Sequence, residues 1–374
     1  MQSTVFRRKF RGASPYKGDL ENMGKVSAFL KRKNVLFSAK RYGIDAMGAM
    51  AQGLFASLLI GTIIKTLGQQ LNVQFLIDAG NFAQQVAGPA MAVSIGAALS
   101  APQLVLYSLI AVGMAANKLG GAGGPLAVYF ITIVASECGK IVSKETKMDI
   151  LVTPAVTILV GVGLSVLCAP AIGAAASSVG DFIKWAPNLQ PLLMGILVSV
   201  VVGMALTLPI SSAAICAALS LTGLAGGAAV AGCCAQMVVF AVMSFRENGV
   251  GGLVSQGLGT SMLQMPNIIR NPRTWIPPTL ASAITGPIAT CLFHLEMNAP
   301  AVSSGMGTCG LVGQIGVYTG WLNDIAAGTK AAILPMDWVG LILICFVLPA
   351  VLTLLFAFFL RKWGWIKDGD LKLD

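Results

Sequence analysis

The chain has 374 residues, of which 56% are hydrophobic and only 11% charged, and its formal net charge is +10. Soluble domains carry about a quarter charged residues, so this composition, with a mean hydropathy of +0.79, excludes a soluble globular enzyme or binding module. Solid apolar runs such as 339–360 also exclude a β-barrel, whose strands alternate in short segments. What is left is an all-α polytopic membrane protein.

The first 43 residues hold eleven of the 25 basic residues, among them Arg7, Arg8, Lys9, Arg11, Lys31, Arg32 and Lys33. Lys and Arg clustered before a first span mark a cytoplasmic segment drawn to anionic lipid, and not a nucleic-acid arm. Within it Leu20, Met23, Val26, Phe29 and Leu30 recur at three-to-four spacing, which predicts an amphipathic helix on the membrane surface. No cleavable signal is expected, because the first apolar run starts only near residue 44.

Ten candidate spans follow, near 44–67, 81–101, 102–118, 125–142, 151–175, 191–208, 210–224, 225–244, 275–293 and 339–360. Pro209 divides the sixth from the seventh. Four spans place Lys140, Lys144 and Lys147 on the side of the N-terminus, and charge parity requires the division at Pro209, which places Arg246, Arg270, Arg273 and the basic tail (Arg361, Lys362, Lys367, Lys372) there too. The protein is expected in a bacterial inner membrane, multi-pass, with both termini cytoplasmic. Glu137 and Lys65, near span ends, are expected to snorkel to the interface.

Two segments are apolar yet too short, polar and glycine-rich for ordinary spans. They are 249–267 (GVGGLVSQGLGTSMLQMPN) and 296–318 (beginning EMNAPAVSSGMGTCG). Irregular backbone at bilayer depth survives only where protein or a water-filled cavity satisfies it, and broken helices of this kind form substrate sites in secondary transporters. The two are therefore expected as re-entrant hairpins approaching from opposite faces. The first offers Gln256, Thr260, Ser261, Gln264 and Asn267 as ligands. The second offers Glu296, Asn298, Ser303, Ser304, Thr308 and Gln314. These donors and acceptors suit a small polar solute, sugar-like and uncharged. Arg246, Glu247 and Asn248 form an expected ion pair or gate beside the first hairpin, with His294, the single histidine, as a further gating candidate. GLGTS lacks the lysine and preceding strand of a phosphate loop. The eight cysteines lack CxxC spacing and read as buried free thiols. With a single histidine, no metal site or other cofactor is expected.

The text FRENGVGGLVSQGLGTSMLQMPNIIRNP, then WIPPTLASAITGP and MNAPAVSSGMGTCGLVGQIGVYTGW, resembles the membrane-component (EIIC) family of the sugar phosphotransferase system. More narrowly it resembles the subgroup that includes the perfringolysin regulator. The resemblance implies a homodimer with ten spans per protomer and elevator-type alternating access. Residues 44–190 would form the scaffold and dimer contact, and 191–374 the transport half with both hairpins. Relatives that handle disaccharides carry Asn-Glu-Pro in the second hairpin, the glutamate binding the sugar. Here the text is Asn298-Ala299-Pro300, with Glu296 two residues earlier, about 200° away around a helix. A methyl can neither accept nor polarise a sugar hydroxyl. The chain also lacks a histidine- or cysteine-bearing relay domain, so by itself it is expected to be a transport protein and not an enzyme, sugar phosphorylation needing separate phosphorelay proteins. The alternative in a different class is a membrane sensor related to the perfringolysin regulator.

Overall fold

A computed structural model describes residues 25–373. The chain divides into two units, the first ending at Phe37 and the second starting at Ser38. The first contains helix α1 (Lys25–Arg32). Leu20 and Met23 of the expected amphipathic helix, and the basic cluster before it, lie outside the described residues. All that follows concerns the second unit.

Helix α2 (Arg41–Leu71) has 31 residues, about 45 Å of rise, and stops at Asn72, which is left-handed with φ 53°. The chain then doubles back as α3 (Gln74–Gln85) and α4 (Ala87–Ala98). Gln84 Nε2 donates to Thr62 Oγ1 on α2 at 2.8 Å. The span expected over 81–101 is thus two short helices. Pro89 explains the break, since it has no N–H to give and its ring would collide with the carbonyl of Gln85.

Helices α5 (Gln103–Gly120) and α6 (Gly124–Val142) form one continuous apolar run that reverses at Gly121, where φ is 50° and ψ −120°. Both pack on α7 (Asp149–Asp181), a 33-residue helix. Glu137 does not snorkel: it is buried in α6, 2.7 Å from Lys140 Nζ, which also donates to Leu99 O at 3.1 Å. Arg41 donates to the same carbonyl.

Helix α8 (Pro191–Thr207) and the central α10 (Gly223–Met243) lie side by side. They run in the same direction: Ser199 O packs on Gly232, and Thr207 Oγ1 reaches Gln236 Oε1 at 3.1 Å. The chain must therefore return over 208–222. Its one helix there, α9 (Ser212–Ala218), has seven residues, about 10 Å of rise, and is too short for the span expected at 210–224. The residue before a proline is driven out of the helical region, and Leu208 is accordingly extended with ψ 157°.

The remaining helices are α11 (Phe245–Val254), α12 (Met265–Arg270), α13 (Ile276–Pro287), α14 (Val312–Ala326) and α15 (Pro335–Lys362). Among the described residues, five helical runs are long and apolar enough to cross a membrane: α2, Gln103–Val142, Asp149–Asn188, α10 and α15, with α4 and α8 as shorter apolar helices. Helix α10 is the axis of the second unit. One apolar cluster gathers Leu99, Phe240, Met243, Leu360 and Leu371 about its Met243 end. Another gathers Leu295, Met297, Trp321 and Leu341 about Val230 and Ala231.

Candidate functional site

The segment after α13 leaves helical geometry at His294, whose φ is 45°, and enters beside α10. Met297 and Gly223 exchange both backbone hydrogen bonds, at 2.9 and 3.0 Å. Leu295 O packs so tightly on Gly227 that an added methyl there would sit 1.6 Å from it. Further along, Ser304 Oγ donates to Leu221 O and Ser212 Oγ to Gly305 O, each at 2.7 Å. The chain turns at Gly307–Leu311, three of whose residues have φ between 52° and 59°. It comes back as α14. The two limbs touch along their length, since methyls at Gly316 and Gly320 would meet Ser303 Cβ at 2.8 Å and Asn298 N at 2.7 Å. Glycines in α14 are what let an irregular strand and a helix approach this closely.

The segment 245–270 also folds back. Gln264 Nε2 donates to Gln256 Oε1 at 2.8 Å across its two limbs, and Gln256 Nε2 to Ser244 Oγ at 2.8 Å. Its turn meets the others: Thr308 donates to Gly257 O, and Ser261 Oγ lies 2.8 Å from Thr207 Oγ1. Turns near Thr207, Gly257 and Thr308 thus converge on the middle of α10. Between them and α2–α5 is a cavity of about 220 Å³, lined by Gln84, Asn117, Ser211, Ser212 and Thr260 among apolar side chains.

Most of the candidate ligands of the first hairpin are occupied by the protein itself. Gln264 and Asn267 donate to Leu371 O and Lys372 O, each at 2.9 Å. Asn248 donates to Leu371 O and accepts from Leu373 N, both at 2.8 Å. Glu247 pairs with Arg361 at 3.2 Å, not with Arg246, and accepts from Leu371 N at 2.8 Å. Together these groups grip the backbone of the tail 363–373. Of this hairpin's polar candidates, Thr260 lines the central cavity, beside Met262. In the second, Ser304 and Thr308 are spent on backbone carbonyls, and Gln314 donates to Cys234 Sγ at 3.1 Å with Oε1 unpartnered.

Glu296, Asn298 and His294 do come together, in a pocket of about 390 Å³ at the Gly223 end of α10. Asn298 is held where the descending limb crosses Gly320. Its Nδ2 donates to Glu296 Oε2 at 3.0 Å and to Asp324 Oδ1 and Oδ2 at 3.1 and 2.9 Å. Trp321 forms one wall in a cluster with Tyr318 and Trp338. Lys330 Nζ lies over the Trp321 ring, 5.9 Å from its centroid, and pairs with Asp337 at 2.9 Å, and Asp337 also accepts from Leu334 N at the start of α15. One amide donor between two carboxylates leaves several acceptor positions open. Open acceptors beside an aromatic face are a chemistry for hydroxyl groups.

Sequence reasoning missed Asp324, Trp321, Lys330 and Asp337. A signal existed for the first: Asp324 is the only acid between Glu296 and Asp337. Among the described residues no cluster of His, Cys, Asp and Glu could hold a metal ion. No curated protein and no solved structure matches the chain. The family model described as phosphotransferase system, EIIC, matches residues 44–373. With that match over most of a multi-pass membrane chain, the protein belongs to the EIIC family of the phosphotransferase system.

Proposed function

We propose that the protein carries a saccharide across the membrane, and that the pocket of Glu296, Asn298, Asp324 and Trp321 receives it. EIIC membership implies sugar transport and phosphotransferase partners in general terms. The observation that carries the finer reading is the Asn298 amide held between two carboxylates beside an indole. Position 299 is alanine, so Asp324 takes the acid's part by reaching Asn298 from the other limb.

In this reading, 249–267 and 296–318 are re-entrant hairpins at bilayer depth, their backbone satisfied by each other and by α10 as irregular membrane backbone requires. Residues 44–190 form a scaffold and 191–374 a transport half, with the central 220 Å³ cavity as the seam along which they slide. The exposed apolar side of α7, where Leu159 is 73% and Leu167 76% exposed, supports a homodimer contact. Both termini face the cytoplasm, and the Asn298 pocket faces outward.

The test is equilibrium binding of a panel of sugars and polyols to the purified protein in lipid nanodiscs. Saturable binding of at least one member is expected, and its absence across the panel overturns the reading. The rival, a sensor related to the perfringolysin regulator, rests on Ala299 together with the basic N-terminal segment. Deleting residues 1–40 separates the two, because a transporter keeps solute binding and uptake.

A further inference from the structure

At the Met243 end of α10, far from the Asn298 pocket, a groove of about 440 Å³ opens between α10 and α15. Its walls are apolar: Val242, Leu354, Ala357 and Phe358. Leu354 and Phe358 are 68% and 62% exposed. Three cations line it, Arg246, Arg361 and Lys362, and no acid does. Arg361 is already engaged, with Glu247, Asp368 and Met243 O. Arg246 and Lys362 are exposed, and among the described residues neither side chain has a hydrogen-bond or ion-pair partner.

Exposed apolar walls running into two unpaired cations fit one class of ligand on both counts. A soluble anion would use the cations and leave the walls bare. A neutral lipid would cover the walls and leave the cations unpaired. We propose that this groove binds an anionic glycerophospholipid, one acyl chain along Leu354, Ala357 and Phe358 and the phosphate between Arg246 and Lys362. Basic pockets between membrane helices at the cytoplasmic side hold anionic headgroups in this way. The site is separate from the N-terminal basic segment and does not depend on which solute the protein carries. Its place at the base of the first hairpin would tie hairpin position to lipid composition.

The test is native mass spectrometry of the full-length protein titrated with phosphatidylglycerol or phosphatidylcholine of matched chains. Three forms are compared: unaltered, R246Q/K362Q, and K144Q/K147Q, which removes two exposed cations elsewhere on the protein. Retention of phosphatidylglycerol should exceed that of phosphatidylcholine, and R246Q/K362Q should lower it about tenfold or more while K144Q/K147Q leaves it intact. Equal retention of the two lipids, equal loss in both double variants, or displacement by inorganic phosphate would each overturn the proposal. Thermal unfolding of each variant without added lipid confirms that the surface changes leave the fold in place.

Discussion

Asn298 donates one amide nitrogen to carboxylates on two different limbs, so its side chain fixes the spacing of the acids a solute would meet. A hydrogen bond to a charged group contributes about 1.5–3 kcal/mol. Asp324→Asn should therefore weaken sugar binding by about tenfold or more, measured by titration calorimetry. Glu296→Gln should cost less, because Glu296 is exposed and water replaces much of what it offers. Unchanged affinity in Asp324→Asn would remove that residue from the site. Packing gives a second residue-scale expectation. A methyl at Gly232 would sit 1.9 Å from Ser199 O, a backbone atom that cannot rotate away. Gly232→Ala should lower the melting temperature, overpacking costing about 1–3 kcal/mol. Asn298 stands out in the sequence as an amide inside an apolar, glycine-rich run, and the structure places it in the pocket with Glu296 and His294. Gln264 and Asn267 are equally conspicuous, but they bind tail residues about 105 positions away, and no local pattern encodes such a partner.

At the scale of elements, long apolar helices are the legible part. Helix α10, α15 and the α5–α6 pair stand close to their expected boundaries because each is a continuous hydrophobic run with clear ends. Breaks driven by proline are less legible. Pro209 marks a boundary, but the sequence does not say that the chain afterwards reverses as the short α9. That depends on Gly232 letting α8 lie parallel to α10, a tertiary contact. The tail is the least legible element. Its composition is that of a frayed end, yet Ile366 and Leu371 are 2% and 0% exposed and Glu247, Asn248, Gln264, Asn267 and Asn271 all bond to it. Truncation after Lys362 should strip these polar groups of partners and destabilise the first hairpin. Faster hydrogen exchange over 245–270, with little change in α5 and α6, is the expected signature. Uniform exchange across the chain would contradict a local latch.

For the whole molecule, composition alone settled the class, and the family match over 44–373 agrees with it. Assembly is a different matter, because an apolar face turned to lipid and one turned to a partner read alike. If α7 carries the dimer contact, Leu167→Arg should convert dimer to monomer in light scattering of the detergent-solubilised protein, and an unaltered dimer would assign that face to lipid. In the proposed function, the chain turns back at Gly307–Leu311 so that Asn298, Asp324 and Trp321 enclose the solute. The most direct measurement is an experimental map of the full-length protein in lipid with the tightest-binding sugar. Density against Asn298 and Asp324, with 296–318 doubled back on itself, is the predicted result. Density beside Thr260 in the central cavity instead, or a segment 296–318 that runs from one membrane face to the other, would contradict it.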